Sequence, residues 1–229
     1  MAPVPSSAAK VPTLAQLERQ ANQQHLTITA ALGTDKCATR DDLPPGTQTL
    51  LMLSPDEPRF WPMFIDTPEY RDGQPDPMDR WSRRVIDALA AKLGATPLYP
   101  FGGPPFQPFI GWALASGFAH SSPVGMLVHD RAGLFLSFRG ALALSQAIDV
   151  PAPGPSPCTS CADRPCLTAC PVSALGGAGY DTKSCKSYLV GTPDNDCMSS
   201  GCRARRACPI GKSYGRVEAH SAYHMSQFS

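Results

Sequence analysis

The clearest periodic pattern of apolar positions lies between residues 77 and 93. Apolar side chains recur there every four residues, at Trp81, Val85, Leu89 and Leu93. This spacing puts them on one face of an α-helix. Asp76 and Pro77 are residue types preferred at the N-cap and the first helical position, and Gly94 suits a C-terminal end. The pattern predicts an amphipathic helix that begins after Asp76 and ends at Gly94.

Shorter apolar runs predict further elements in the first 150 residues. Helices are predicted at residues 14–32 and Phe109–Ser116, and strands at residues 47–53 and 96–100. Residues 124–129 and 134–138 are two apolar runs around a glycine-containing turn, which predicts a β-hairpin. Strands mixed with helices in this way indicate an α+β layered domain.

Residues 149–157 mark a boundary between two parts of the chain. Their sequence, DVPAPGPSP, has proline at every second position from Pro151. Proline fixes the backbone angle φ and lacks the N–H that a helix interior requires, so the stretch favours an extended geometry. We therefore expect two domains, residues 1–150 and residues 151–229.

Composition and charge narrow the function classes. The chain has 229 residues and a formal net charge of +1, which gives no reason to expect specific nucleic-acid binding. No apolar stretch approaches the roughly 18 residues of a membrane span, and the N-terminus lacks the apolar core of a secretory signal. Eight of the nine cysteines lie between Cys158 and Cys208. In a reducing cytoplasm, which we expect here, such cysteines indicate metal rather than disulfides. The sequence assigns no oligomeric state.

The cysteines form two groups, each ending in Cys-Pro. The first is Cys158-x2-Cys161-x4-Cys166-x3-Cys170-Pro171, and the second is Cys185-x11-Cys197-x4-Cys202-x5-Cys208-Pro209. A [4Fe–4S] cluster needs four thiolates, and in two-cluster ferredoxins the cysteine before proline binds the other cluster. This rule predicts one cluster on Cys158, Cys161, Cys166 and Cys208, and a second on Cys170, Cys185, Cys197 and Cys202.

Zinc, or one cluster with spare thiols, is the alternative to two clusters. Structural zinc sites usually present paired C-x2-C elements separated by a dozen or more residues. This chain has one C-x2-C element and two Cys-Pro endings, which favour iron–sulfur clusters. Arg203, Arg205 and Arg206 would offset the negative charge of the clusters, or would form a solvated docking surface.

Three segments, CTSCADRPCLTACPVSAL, CKSYL and CRARRACPIG, carry a family resemblance. They resemble the ferredoxin-type domain of epoxyqueuosine reductases and related corrinoid-dependent reductases. In that family a C-x-S-Y-L segment supplies the fifth cysteine, which corresponds to Cys185 here. The gap after Cys161 and the spacing from Cys197 to Cys208 are wider than the family pattern. The resemblance implies a small bacterial-type ferredoxin domain.

Residues 125–144, GMLVHDRAGLFLSFRGALAL, are similar to the hairpin of the cobalamin-processing dealkylase and decyanase family. The resemblance implies a nitroreductase-like layered fold and a cleft for a corrin ring, with His129, Gly133 and Arg139 as cofactor-binding residues. Cobalamin is therefore a candidate cofactor. The residues alone also allow a plainer interpretation, with His129 as a hydrogen-bonded structural residue and Arg139 as the partner of an acid.

Three residues lie outside these motifs. Cys37 stands between Lys36 and Arg40, and we expect an ordinary buried or loop cysteine rather than a reactive thiol. His220 and His224 have the i,i+4 spacing of one helix face. We expect a terminal helix packed over the cysteine-rich domain in preference to a pair of metal ligands.

These observations support three function hypotheses. The first is a ferredoxin-like iron–sulfur electron-transfer protein that works with a redox partner protein. The second is a corrinoid-linked oxidoreductase, in which the clusters reduce cobalamin bound by the first domain. The third is a structural or sensing cluster protein. Epoxyqueuosine reduction itself is not expected, because the region after Cys208 is short and only modestly basic.

Overall fold

The computed structural model describes residues 11–176 and 179–228. Its helices are α1 (Leu14–Asn22), α2 (Thr34–Cys37), α3 (Phe60–Phe64), α4 (Pro68–Arg71), α5 (Pro77–Leu93), α6 (Phe109–Ser116), α7 (Thr182–Gly191), α8 (Asp196–Ser200), α9 (Arg203–Ala207) and α10 (Glu218–Ser226). Its strands are β1 (Leu26–Leu32), β2 (Thr49–Pro55), β3 (Thr96–Leu98), β4 (Ala119–Ser121), β5 (Leu127–His129) and β6 (Gly140–Leu144). Short 3-10 turns lie at Pro157–Thr159, Pro165–Leu167 and Ile210–Ser213. None of the helices in the described ranges is long and apolar enough to cross a membrane.

A four-stranded antiparallel sheet in the order β1-β2-β6-β3 forms the centre of the first part of the chain. Apolar side chains of β2 alternate between two cores, with Leu51 and Leu53 in one and Leu50 and Met52 in the other. A strand buried on both faces has a continuous apolar sequence, which is why residues 47–53 predicted it. The mixed α+β class is confirmed.

Helices cover both faces of this sheet. α1, α3 and α5 pack on the face that carries Leu51, and Trp81 and Ile86 of α5 are almost completely buried. α6 packs on the opposite face through Trp112. Burial of each such side chain contributes roughly 2–3 kcal/mol. α5 ends at Gly94, which has a left-handed φ of 62°, as its sequence pattern predicts.

The helix predicted over residues 14–32 is wrong in its second half. α1 ends at Asn22, and the chain then forms β1, which pairs with β2. His25 has a positive φ of 56°, which turns the chain out of the helix. Three β-branched residues follow, Thr27, Ile28 and Thr29. Such residues favour strands, so sheet pairing outweighs the helical spacing.

The hairpin predicted from residues 124–129 and 134–138 is wrong in its second strand. β5 pairs with β4 instead, and a single isolated bridge joins His129 to Gly133. Residues 134–138 form no strand. The guanidinium of Arg205 donates a hydrogen bond to the carbonyl oxygen of Leu134, so this segment is held by the C-terminal part of the chain.

The last helix, α10, returns to the first part of the chain. Its Tyr223 packs on the core formed with α1, α3 and α5, and its His220 stacks on Trp61 with ring centroids 5.1 Å apart. α10 also packs against α8, which carries Cys197. The helix packs on the cysteine-rich part, as the sequence predicted, and it also packs on the first part of the chain, which the sequence did not indicate.

The proline-rich segment contains no α-helix, as its sequence predicts. Residues 149–156 contain neither helix nor strand, and Pro153 lies against Gly117 of the first part. The division into domains at this segment stays a prediction.

Candidate metal centre

One narrow cavity is lined by Cys158, Cys161, Cys166 and Cys208. Two of these cysteines sit on 3-10 turns that begin with proline, at Pro157–Thr159 and Pro165–Leu167, and Cys208 directly follows α9. Proline fixes φ near the value that such a turn needs, which restricts the positions of the adjacent cysteines. The structure brings the four residues of the first predicted ligand set together.

A close backbone contact at Gly133 adjoins this cavity. Its φ is +54°, and a Cβ atom added there would lie 2.5 Å from the amide nitrogen of Gly211 and 3.0 Å from Cys208 Sγ. Only glycine tolerates both the conformation and the approach. Gly133, which the sequence assigned to a corrin site, thus lies against a cysteine of the first set.

A second, larger cavity of about 380 Å³ is lined by Cys170, Cys185, Cys197 and Cys202. Three helices position these thiols: α7 carries Cys185, α8 carries Cys197, and Cys202 is the N-cap of α9. The backbone N–H of Ala174 donates to Cys170 Sγ at 3.3 Å. Burial raises the pKa of the Tyr180 hydroxyl, and the negative charge of Cys185 acts in the same direction. The second predicted set is also brought together.

Burial raises the pKa of thiols in both sets. For Cys158, burial is the largest cause, and the negative charges of Cys208 and Cys161 raise the pKa further. For Cys185, burial is again the largest cause, and the charge of Cys202 acts in the same direction. Four thiolates can therefore share each cavity only when cations offset their charge. Bound metal in place of the thiol protons would meet that requirement.

The larger cavity extends beyond its four thiols. Its apolar wall includes Met126, Phe135, Met225 and Phe228. Its charged side chains are arginines, among them Arg205 and Arg216, and no acidic residue is found among the described residues that line it. Burial lowers the pKa of Arg216 to about 10, although the adjacent charge of Glu57 opposes that shift. The wall is therefore apolar with a positive component.

His129 and Arg139 make structural contacts. His129 Nδ1 accepts hydrogen bonds from two backbone N–H groups of the following turn, both at 3.2 Å, and burial lowers the pKa of this imidazole. Arg139 forms an ion pair with Asp79 and donates from Nε to Ser82 Oγ at 3.0 Å. Neither residue, nor Gly133, is among the described residues that line the larger cavity. Their role as corrin ligands stays a prediction.

A buried carboxyl group, which no sequence motif indicates, is connected to the larger cavity through two histidines. Glu57 Oε1 lies 2.6 Å from His220 Nδ1, and His220 Nε2 lies 3.1 Å from His224 Nε2. The i,i+4 spacing of the histidines indicated their proximity. Nothing local marks Glu57 as their partner, because 163 positions separate it from His220.

Cys37 lies apart from both cysteine sets. It is buried on α2, and its Sγ donates to the carbonyl oxygen of Leu32 at 3.5 Å. Burial raises the pKa of this thiol. These are features of a structural cysteine rather than a reactive one.

The fold and site define an α+β protein with two cavities, each lined by four thiols. Within residues 11–176 and 179–228, no group of three or more His, Cys, Asp or Glu side chains is already arranged to hold a metal ion. No protein-family model and no curated protein matches the chain. Among solved structures, the crystal structure of selenomethionine-labelled epoxyqueuosine reductase is similar with a TM-score of 0.48 and 15% identity, over 91% of this chain and 68% of that chain. This likeness is too weak to assign a family.

Proposed function

We propose that this protein is an iron–sulfur electron-transfer protein that carries two [4Fe–4S] clusters. The observation that carries the proposal is the sorting of eight cysteines into two cavities of four. Cysteine thiolates in sets of four are the ligands of such clusters. The first set is Cys158, Cys161, Cys166 and Cys208, and the second is Cys170, Cys185, Cys197 and Cys202.

The surroundings of the thiols suit this donor chemistry. Bound clusters would supply reversible one-electron transfer. The N–H of Ala174 donates to the sulfur of Cys170, and such a hydrogen bond favours the more negative, reduced state. Arg205 lies on α9 between Cys202 and Cys208, so its positive charge lies between ligands of the two sets. These groups would ease reduction at both sites.

The proposal includes a division of labour along the chain. Residues 151–229 would be a bacterial-type ferredoxin domain, and residues 1–150 a nitroreductase-like domain for docking or cofactor binding. The protein would work in a reducing, cytoplasmic setting, where clustered cysteines usually bind metal. The electrons would be exchanged with a redox partner protein.

Iron and sulfide analysis of protein purified without oxygen tests the proposal. We expect about eight irons and eight sulfides per chain, with the visible absorption of cubane clusters. Cys37→Ser is the matched control, because that cysteine is buried away from both cavities. Stoichiometric zinc without visible absorption would reject the proposal.

A second candidate function is a corrinoid-dependent reductase, in which the clusters reduce bound cobalamin. The observation that favours it is the larger cavity of about 380 Å³, whose mostly apolar lining extends beyond the second cysteine set to Met126, Phe135 and Phe228. Cofactor pockets are commonly of this size and character. The larger cavity does not support His129, Gly133 and Arg139 as corrin-binding residues, because none of the three lines it.

Cobalamin titration followed by absorbance tests the second candidate. We expect binding on the order of micromolar, and loss of binding with retained iron when Met225→Trp fills the cavity. Ile110→Trp is a control, because that side chain is exposed on α6. Absence of binding at about millimolar cobalamin would reject the corrinoid reductase.

A further inference from the structure

Three polar side chains, Glu57, His220 and His224, form a hydrogen-bonded series that ends at the wall of the larger cavity. This series is called the proton chain below. Glu57 and His220 are completely buried side chains, joined at 2.6 Å, and His220 joins His224 at 3.1 Å. His224 lines the larger cavity, so the chain leads from the protein interior to that space. In the described part of the molecule, Nδ1 of His224 has no hydrogen-bond partner. His224 Nδ1 is therefore the free end of the proton chain.

The chain is enclosed by aromatic side chains. The ring of His220 stacks on Trp61 and lies 4.9 Å from Phe60, measured between centroids. Burial lowers the pKa of His220 to about 2 and holds that of His224 well below its ordinary value. Both imidazoles are thus neutral near pH 7. A proton can pass along neutral imidazoles only by exchange of their tautomers.

Glu57 determines which tautomers are present. Burial raises its pKa to about 7, although the charge of Arg216 at 3.2 Å opposes that shift. When Glu57 is protonated, it donates to His220 Nδ1, His220 Nε2–H donates to His224 Nε2, and His224 Nδ1 carries a proton. When Glu57 is a carboxylate, both tautomers reverse and His224 Nδ1 is bare.

Charged groups from every neighbouring element act on this chain. Arg216 faces Glu57 directly, and the charges of Arg216, Arg139 and Arg205 all lower the pKa of His224. The charged residues that line the larger cavity with His224 are arginines, whereas the carboxyl groups of Asp76 and Asp79 line an adjoining groove with His224, where Asp79 pairs with Arg139. Arg216 also stabilises the carboxylate that remains when Glu57 gives up its proton.

The polar groups of the cavity wall indicate the ligand. Arg205, Arg216 and His224 line the cavity as donors, and the buried hydroxyl of Ser137 has no partner among the described residues. A matching ligand supplies oxygen acceptors on an apolar body. We propose that the larger cavity is a reduction site for apolar carbonyl compounds of the quinone class, with His224 as the proton donor. This inference rests on the proposed electron-transfer function.

The quinone gains one electron, which the redox partner protein loses, and one proton from His224 Nδ1. A cluster held by the second cysteine set would relay that electron. One O–H bond forms, the N–H bond of His224 breaks, and protons shift along His220 so that Glu57 becomes a carboxylate. Asp79, Arg139 and His224 line an open groove, and solvent in that groove would return the proton to His224 Nδ1. A second electron and proton complete the hydroquinone.

Infrared spectroscopy of the iron-loaded protein tests the proton chain directly. We expect the C=O band of a protonated carboxyl group that titrates near pH 7, the value to which burial raises the pKa of Glu57. Glu57→Gln should lack the band, His224→Phe should shift it, and His120→Phe on β4 should leave it unchanged. A band that titrates in the ordinary glutamate range would overturn the inference.

Reduction of menadione, a small apolar quinone, tests the site. The protein is reduced stoichiometrically without oxygen, and quinone absorbance is followed after mixing. We expect His224→Phe and Glu57→Gln to bind menadione within about twofold of the wild type but to reduce it on the order of 100-fold more slowly. The wild-type rate should fall above about pH 7, as Glu57 loses its proton, and the variants should lose this dependence.

The outcomes separate this inference from the function on which it rests. Unchanged rates in both variants, or no saturable menadione binding, with normal iron content, would overturn the reduction site alone. Absence of iron from the wild type would overturn the electron-transfer proposal as well. Because Glu57→Gln leaves Arg216 without a charged partner and risks misfolding, His224→Phe at the cavity surface carries the test by itself.

Discussion

Replacement of Gly133 by alanine tests the contact between the turn after β5 and the first cysteine set. Alanine in the left-handed conformation, here at φ +54°, costs roughly 1–2 kcal/mol. The new methyl group would also lie 2.5 Å from the Gly211 nitrogen and 3.0 Å from Cys208 Sγ. Overpacking of this kind costs roughly 1–3 kcal/mol more. The relief of that contact moves Cys208 away from its three partners.

Gly125→Ala is the matched control for this substitution. Gly125 also has a positive φ, +75°, but a Cβ atom there would meet nothing within 4 Å. It therefore has the backbone cost without the contact, and the difference between the two variants isolates roughly 1–3 kcal/mol in the free energy of unfolding. Urea unfolding without oxygen measures that difference, and iron analysis measures the fate of the first set.

We expect Gly133→Ala to retain about four of eight irons and Gly125→Ala to retain all of them. The four that remain should belong to the second set, which electron paramagnetic resonance of the reduced protein can identify. Equal stability and equal iron in the two variants would refute the reasoning, since the contact with Gly211 and Cys208 would then have no energetic consequence.

The remaining predictions concern single side chains. Cys37→Ser should leave iron content unchanged, and loss of half the iron would show that the first part of the chain supplies a ligand. Cys158→Ser and Cys208→Ser should abolish the same resonance signal and Cys185→Ser the other, so a shared signal for the last two would disprove the assignment. A hydrogen bond from an α9 arginine holds the pKa of Asp196 below its ordinary value. Its ion pairs stabilise the fold above the ordinary aspartate pKa and are lost in stronger acid. Asp196→Asn should therefore lower urea stability at pH 7 and not in strong acid, and equal losses at both would contradict this.

The sequence pattern predicted secondary structure correctly where contacts with distant parts of the chain did not override the local preference for helix or strand. α5 has its first-turn proline, its apolar face and its C-terminal glycine within a short segment, so local rules predicted its bounds. Asp76 precedes the helix as predicted, but its side chain makes no capping hydrogen bond. β2 was also predicted, because burial on both faces leaves a continuous apolar run. Residues 134–138 failed because their partners, among them Arg205, lie far along the chain.

The candidate site likewise has parts that the sequence predicted and parts that depend on tertiary contacts. Cysteine spacing and the Cys-Pro rule predicted two sets, and the same two sets line the two cavities. The chain of Glu57, His220 and His224 was beyond sequence reasoning, because its carboxyl group comes from the loop after β2. Gly133 was noticed for a resemblance, whereas its conformation and its contact with Cys208 are tertiary facts.

Because α10 packs on the first part of the chain, the two parts cannot be separated into fragments without loss of contacts. A cut at the proline-rich segment would separate His220 from the Trp61 ring on which it stacks, and Arg216 from Glu57. The upstream fragment would then expose aromatic surface and a carboxyl group that the intact chain keeps dry. A hybrid protein that carries the cysteine-rich segment on another scaffold needs a substitute for the surface that Trp61 and Glu57 provide. The two parts of the chain therefore cannot be exchanged independently. We expect a substitution in α3 to require a matching substitution in α10.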